Sequence, residues 1–257
     1  MDYLIICITA LLASGLTFFS GFGLGTLLMP VFAIFFPLPT AIASTAMVHL
    51  FNNLFKLILV GRLANKKIVL RFGVPAMVSA FLGAQALSRL SEFKPLITCQ
   101  WMNQGFQVMP VKLVVAVLMI AFALVEIMPH FEKFSFDKKF LPVGGILSGF
   151  FGGLSGHQGA LRGAFLMKCG LEKESFIATG VVIACIVDVS RISVYAVHFA
   201  PSGSNYNVYL LAAATVSAFT GAFIGKKLLK KATMRNIQII VSAMLFGIAI
   251  GLGAGLI

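Results

Sequence analysis

Apolar residues run along this chain in long blocks, separated by short basic or glycine-rich stretches. The blocks fall at 3–36, 40–60, 72–90, 111–128, 140–171, 176–198, 206–225 and 237–257. Most are about 20 residues long, the length of a helix that crosses a hydrocarbon core of about 30 Å. Two are too long: 3–36 and 140–171 would each make a helix of about 50 Å. Both are interrupted by glycine, in "SGFGLG" at 20–25 and "GGLSGHQG" at 152–159. Each is therefore expected to fold as a hairpin of two short or half helices that enters the membrane and returns.

The distribution of Lys and Arg tests that expectation. Read as eight simple spans, the loops divide 10 to 7 between the two sides, which decides nothing. With 3–36 and 140–171 folded back, loops 62–71, 133–139, 168–173 and 226–235 share one side and hold 14 basic residues. The other side keeps Arg89, Lys94 and Lys112, while Lys56, Arg162 and Arg191 remain inside the membrane. Such asymmetry is the positive-inside bias, and it places both termini outside the cytoplasm. The composition agrees: 59% of the 257 residues are hydrophobic and 11% charged, against about 25% charged in a soluble domain. The net charge of +12 belongs to these loops and is not interleaved with exposed aromatics, so no nucleic-acid partner is expected. Residues 1–55 hold no Lys or Arg, unlike the basic start of a signal peptide. Cys7, Cys99, Cys169 and Cys185 show no metal-ligand spacing, and no metal or other cofactor is implied.

The hairpin layout divides the chain into halves, 1–129 and 130–257, each a broken hairpin followed by three spans. "SGFGLGTLLMP…LPTAIAST" parallels "SGHQGALRGAF…LEKESFIAT", with Ser20-Gly21 matching Ser155-Gly156 and Thr45 matching Thr179. An odd number of crossings per half makes the copies inverted, an architecture of many secondary transporters. The expected fold is an all-α polytopic membrane protein of two inverted repeats forming one transmembrane domain.

The polar residues of the apolar blocks gather at the breaks and on the spans that follow them. Ser155-Gly156-His157-Gln158 has the S-x-x-Q form of a capping box and predicts the start of a returning half helix, whose N-terminus would attract an anion. Ser155, Gln158 and Arg162 would then share one face. Gly152/Gly156 and Gly159/Gly163 have the spacing that lets helices approach closely. In 40–60, His49, Asn52, Asn53 and Lys56 fall on one helical face; in 176–198, Asp188, Arg191 and Tyr195 do the same. Lys56 also lies within reach of the inner surface, where a lysine snorkels, and Asp188–Arg191 also fits a neutral structural pair. Three interior cations against Asp188 select an anion. The substrate site is expected at Ser20, Gly21, Asn52, Asn53, Ser155, Gly156, His157, Gln158, Arg162 and Arg191, with Asp188 and His49 balancing charge or coupling an ion. Glu126, His130 and His198 sit near span ends.

The stretch "GGLSGHQGALRGAFLMKCGLEKESFIATGVVIACIVDVSRISVYAV" (152–197) resembles the second-half signature of the sulfite exporter TauE/SafE family, and "SGFGLGTLLMP" (20–30) resembles its first-half counterpart. Ala164 or Phe165 stands where many members have proline after the second break, while Pro30 keeps the first. The resemblance implies a carrier for sulfite, sulfonates, sulfoacetate or carboxylates in the bacterial inner membrane, with export the expected direction. It implies a small anionic substrate and the lipid bilayer as partners, is compatible with a homodimer, and implies no enzyme activity. Two rivals remain: an anion channel, and an intramembrane serine protease. The second rests on Gly153-Leu154-Ser155-Gly156, which resembles the rhomboid nucleophile motif, with His198 as base; a protease has no use for the first-half repeat of that motif.

Overall fold

The computed structural model describes residues 2–20, 23–101, 104–128, 136–199, 207–228 and 234–256, and helices dominate it. The first long apolar block divides into α1 (Asp2–Ser20) and α2 (Leu24–Phe35), and the second into α7 (Leu141–Ser155) and α8 (Gly159–Met167). In each case the two helices pack against each other. The members are unequal. The 19 residues of α1 reach about 28 Å, close to a full span, whereas the 12 and 9 residues of α2 and α8 reach only about 18 and 14 Å.

The remaining helices are α3 (Leu38–Val60), α6 (Pro110–Ile127), α9 (Lys173–Phe199), α10 (Val208–Leu228) and α11 (Met234–Gly253). A further helix starts earlier than its apolar block. The short α4 (Lys66–Ile68) passes through a π turn, Val69–Gly73, into α5 (Val74–Ser91). Asn65 makes this early start, its Oδ1 accepting the N–H of Ile68 at 3.1 Å, as an N-cap asparagine does. Proline in the first two positions of α3, α5, α6 and α7 suits helix starts, where a missing N–H costs nothing.

The stretches Leu38–Leu63, Lys66–Ser91, Lys173–Phe199 and Val208–Lys226 are long and apolar enough to cross a membrane, and shorter apolar helices accompany them. The chain is an all-α polytopic membrane protein. Exposed large side chains such as Leu12, Ile58, Val78 and Val216 would be liabilities in water but are at home in lipid. One element was not expected from the sequence: β1 (Ile97–Trp101) and β2 (Gln104–Val108) pair antiparallel between α5 and α6, with Ile97 opposite Val108.

The helix contacts come in matching pairs. α1 packs along α10, and α7 along α5; α3 meets both α9 and α10, while α9 meets α5; α6 packs along α11. Small residues make the two longest seams. A Cβ at Gly145, Gly149 or Gly153 would overlap the carbonyls of Phe72, Ala76 and Ala80 on the α5 side, and one at Gly221 or Gly225 would overlap the backbone of Leu11 or Gly15 on α1. Without a hydrophobic effect inside lipid, such close backbone approach is a main source of helix association. The expected close-packing pairs were Gly152/Gly156 and Gly159/Gly163. Gly152 does admit Gln158 and Val187 closely and Gly156 admits Arg191, but the seam with α5 runs through 145, 149 and 153, and nothing lies within 4 Å of a Cβ built on Gly163.

Candidate functional site

The second break corrects the expected capping box. Ser155 is the last residue of α7, not the first of the returning helix, and its Oγ donates back to the Phe151 carbonyl at 3.1 Å. Gly156 then turns the chain with φ 81°, the left-handed conformation that ends many helices and favours glycine. The returning helix starts three residues later, after Gln158, without a side-chain cap. Ser155 therefore does not share a face with Gln158 and Arg162, which do lie one turn apart. The first break is described from Gly23 onward; Gly21 and the Ser20 side chain lie outside the described residues.

The two breaks meet inside the protein. A Cβ on Gly25 would stand 3.5 Å from the carbonyl oxygen of Gly156, and one on Gly23 would stand 3.3 Å from His49 Nε2. Around this meeting point α3 and α9 present their polar faces, and both helices bury them: His49, Asn52, Asn53 and Lys56 on one, Asp188, Arg191 and Tyr195 on the other.

Asp188 is the hub. Its Oδ1 accepts from Arg191 Nε (3.0 Å) and Nη2 (2.7 Å) and from Gln158 Nε2 (3.2 Å). Its Oδ2 accepts from His49 Nδ1 at 2.6 Å and from Asn53 Nδ2 at 3.4 Å. Arg191 also donates Nη1 to the Gly152 carbonyl at 3.2 Å, and the Tyr195 hydroxyl donates to the Gly153 carbonyl. The end of α7 is thereby fastened to α9. Gln158 extends the network, because its Oε1 accepts from Arg162 Nη1 at 3.4 Å while its Nε2 serves Asp188. Asn52, at the edge of the polar face of α3, turns toward Ser14 and Ala218. With its amide oriented to satisfy both ends, it donates to the Ala218 carbonyl and accepts from Lys56 Nζ, each at 3.3 Å.

Beside this network lies a small cavity of about 40 Å³, room for a small ion or a few waters, since one water needs about 10–15 Å³. Its polar wall is made by Thr17, His49, Asn53, Lys56 and Arg162, with Gly23 and Leu24 at the start of α2. Leu166, Phe176 and Ile177 complete it toward the end of α8 and the start of α9. No acidic side chain is among its described lining residues. Arg162 lies against Gly180, where a Cβ would come within 3.5 Å of its Nε.

Of the expected site residues, Asn53, Gln158, Arg162, Arg191, Asp188 and His49 form one hydrogen-bonded network, and Asn52 adjoins it through Lys56. Gly156 packs against Gly25 and Arg191. Ser155 and His157 stand apart from the cavity: His157 Nδ1 faces Ser155, at 3.0 Å from its carbonyl and 3.2 Å from its Oγ, and its ring stacks on Phe122 at 5.5 Å. Lys56, Thr17 and Gly180 were not among the expected ligands. Lys56 was legible as the end of the α3 stripe; Thr17 lay in an apolar run with nothing to mark it. The imidazole beside Ser155 is that of His157, whereas His198 donates to the Val194 carbonyl of its own helix at 3.0 Å.

No curated protein matches the chain. A family model described as sulfite exporter TauE/SafE matches residues 6–252, essentially from end to end, and the chain belongs to that family of membrane transporters for sulfur-containing anions.

Proposed function

We propose that this protein is a secondary transporter that carries a small sulfur-containing oxyanion, such as sulfite, a sulfonate or sulfoacetate, out across the bacterial inner membrane. The observation that carries the reading is the cavity wall. Two buried cations, Arg162 and Lys56, face a space with no acidic side chain among its described lining residues. Burying a cation in a low-dielectric interior is costly unless something compensates it, and an anion in the cavity would. Arg162 offers a planar fork suited to a sulfonate or carboxylate, Lys56 a point charge, and the start of α2 the positive end of a helix dipole. Arg191 has a different part on this reading. Its charge is already balanced by Asp188, so it organises the site and acts on the anion through the network.

The matched helix contacts support two inverted halves, 1–129 and 130–257, with the site between them. The excess of basic residues in loops 62–71, 133–139, 168–173 and 226–235 puts those loops in the cytoplasm and both termini in the periplasm. The cavity lies near the ends of α3, α8 and α9 that lead to those loops, so it faces inward, as an exporter awaiting cargo would. Cysteine labelling from outside should fail at Lys66→Cys and succeed at Lys94→Cys; reaction of both from the same face would overturn the topology.

Counterflow in proteoliposomes against sulfite, sulfate, sulfoacetate, taurine and acetate tests the function. Exchange of sulfite or sulfoacetate, lost in Arg162→Gln, is the expected result. Equal exchange of every solute, or no loss in the variant, would overturn the site.

A further inference from the structure

His49 belongs both to the network and to the cavity. It lines the cavity, whereas Asp188, its partner, does not. The chemistry of that pair fixes the imidazole. Asp188 accepts from Arg191 and Gln158 on one oxygen and so serves as an ionised, acceptor-only carboxylate. The His49 nitrogen 2.6 Å from its other oxygen must then be the donor, which puts the hydrogen on Nδ1 and leaves the lone pair on Nε2. That second nitrogen lies beside Gly23, where a Cβ would come within 3.3 Å of it, and Gly23 also lines the cavity. Asn53 Nδ2 is 3.0 Å from Nδ1 and 3.3 Å from Nε2. The same amide also donates to Asp188, so it keeps an acceptor when Nε2 takes a proton.

We infer that His49 is the proton-binding group of this carrier: its Nε2 takes a proton from water as the cavity takes its anion, so the two are carried together. The inference rests on the anion reading above. The neutral ring presents an electron pair to the cavity and would repel an oxyanion; the imidazolium presents an N–H and a positive charge and would attract one. The Nδ1–H bond to Asp188 is made in both states, and Asn53 keeps Asp188 as its acceptor. The charged groups around the ring are Asp188 and Arg191 from α9, Arg162 from α8 and Lys56 from its own helix. The cavity residues of α1 and α2 (Thr17, Gly23, Leu24) contribute no titratable group. A bound anion across the cavity favours the charged form of the ring. Anion and proton then each favour the other, and by linkage the effect is reciprocal.

The test is the affinity of the purified full-length transporter for sulfoacetate and for sulfite between about pH 6 and 8, where imidazole titrates. Sulfoacetate stays ionised over this range, so its slope reports the protein; sulfite titrates by itself, and comparison with His49→Gln cancels that contribution. Sulfoacetate should bind more tightly as pH falls, by up to about tenfold per unit for one linked proton. His49→Gln, which keeps a donor for Asp188, should flatten that slope and make the sulfite slope shallower. Lys56→Gln should weaken binding at every pH but keep the slope; a slope lost in Lys56→Gln and kept in His49→Gln would make the lysine the proton carrier and overturn the inference. A flat sulfoacetate slope in the wild type overturns the coupling, whether or not the His49 variant folds. Equal sulfite slopes in wild type and His49→Gln overturn it too, while leaving the anion cavity standing. If the wild type binds neither anion, the anion reading falls and the coupling with it.

Discussion

Arg191 and Arg162 are both buried arginines in the middle of a membrane protein, at 0% and 7% exposure, yet they sit in opposite situations. Arg191 is locked: three of its nitrogens donate, to the Asp188 carboxylate and to the Gly152 carbonyl. Arg162 reaches one neutral partner, Gln158, and otherwise fronts a cavity. The difference teaches that burial of a charge does not mark a binding site. What marks it is burial against an open space instead of against a carboxylate. The lock holds α7 to α9, and the cavity wall carries two cations, Lys56 and Arg162, with no carboxylate among its described lining residues.

Removing the lock should have the largest effect. Arg191→Gln leaves Asp188 buried with weaker partners, and breaking one side of a buried ion pair costs about 3–5 kcal/mol. Thermal unfolding in detergent should show a clear fall in stability, and low folded yield would say the same. An unchanged melting temperature would mean that the pair is dispensable and that Arg191 is free to serve the anion directly.

Arg162→Gln should behave in the reverse manner. A cation with one neutral partner contributes little to folding, so stability should hold or rise. Anion affinity should fall about 10- to 150-fold, the value of one charge-assisted contact at about 1.5–3 kcal/mol. Arg162→Lys should be nearly as poor, because lysine keeps the charge but loses the fork. Isothermal titration with sulfite, together with melting curves, separates the two arginines. Loss of stability with intact affinity in Arg162→Gln would exchange their roles.

A second contrast lies in the glycines. Gly149→Ala puts a methyl group into the Ala76 carbonyl on the α5 side, and overpacking of this kind costs about 1–3 kcal/mol. Gly163→Ala meets nothing within 4 Å and adds its methyl on the cavity lining. Stability should improve slightly there, since alanine gains up to about 1 kcal/mol over glycine within a helix, while larger anions lose affinity relative to sulfite. A size-independent effect of Gly163→Ala would show that the cavity is not where the anion sits.

The sequence made the helices legible because membrane spans repeat one strong signal, and the basic loops supplied the fold-back of the two long blocks. The polar stripes of α3 and α9 followed from helical spacing alone. What could not be read was anything that depends on which surface a residue meets. Gly145, Gly149 and Gly153 look no different from Gly152 and Gly156 until α5 is laid beside α7. Asp188 could be seen to pair with Arg191 at three residues' distance, but its bonds to His49 and Asn53 join residues 139 and 135 positions apart. The β1–β2 hairpin lies in a polar connection without the alternation that would announce it. At Ser155 two signals competed: S-x-x-Q suggested a helix start, and Ser-Gly also suits a helix end. The left-handed turn at Gly156 decided for the end.

Ser155 gives the smallest expected effect and the sharpest choice between classes of protein. In the structure its hydroxyl donates to Phe151 within its own helix and is approached by His157 at 3.2 Å. A helical serine bonded back to the preceding turn contributes little, because the carbonyl it serves is already used by the helix. His157 Nδ1 keeps the Ser155 carbonyl at 3.0 Å as a partner when the hydroxyl is gone. Ser155→Ala should therefore cost no more than about 0.5–1.5 kcal/mol, seen as a shift of a few degrees in melting temperature and a several-fold reduction in sulfite flux at most. A nucleophile could not be removed so cheaply. If Ser155→Ala abolished activity in protein that is folded and inserted, while Arg162→Gln left it intact, the centre of the molecule would lie at the end of α7 and not at the cavity wall.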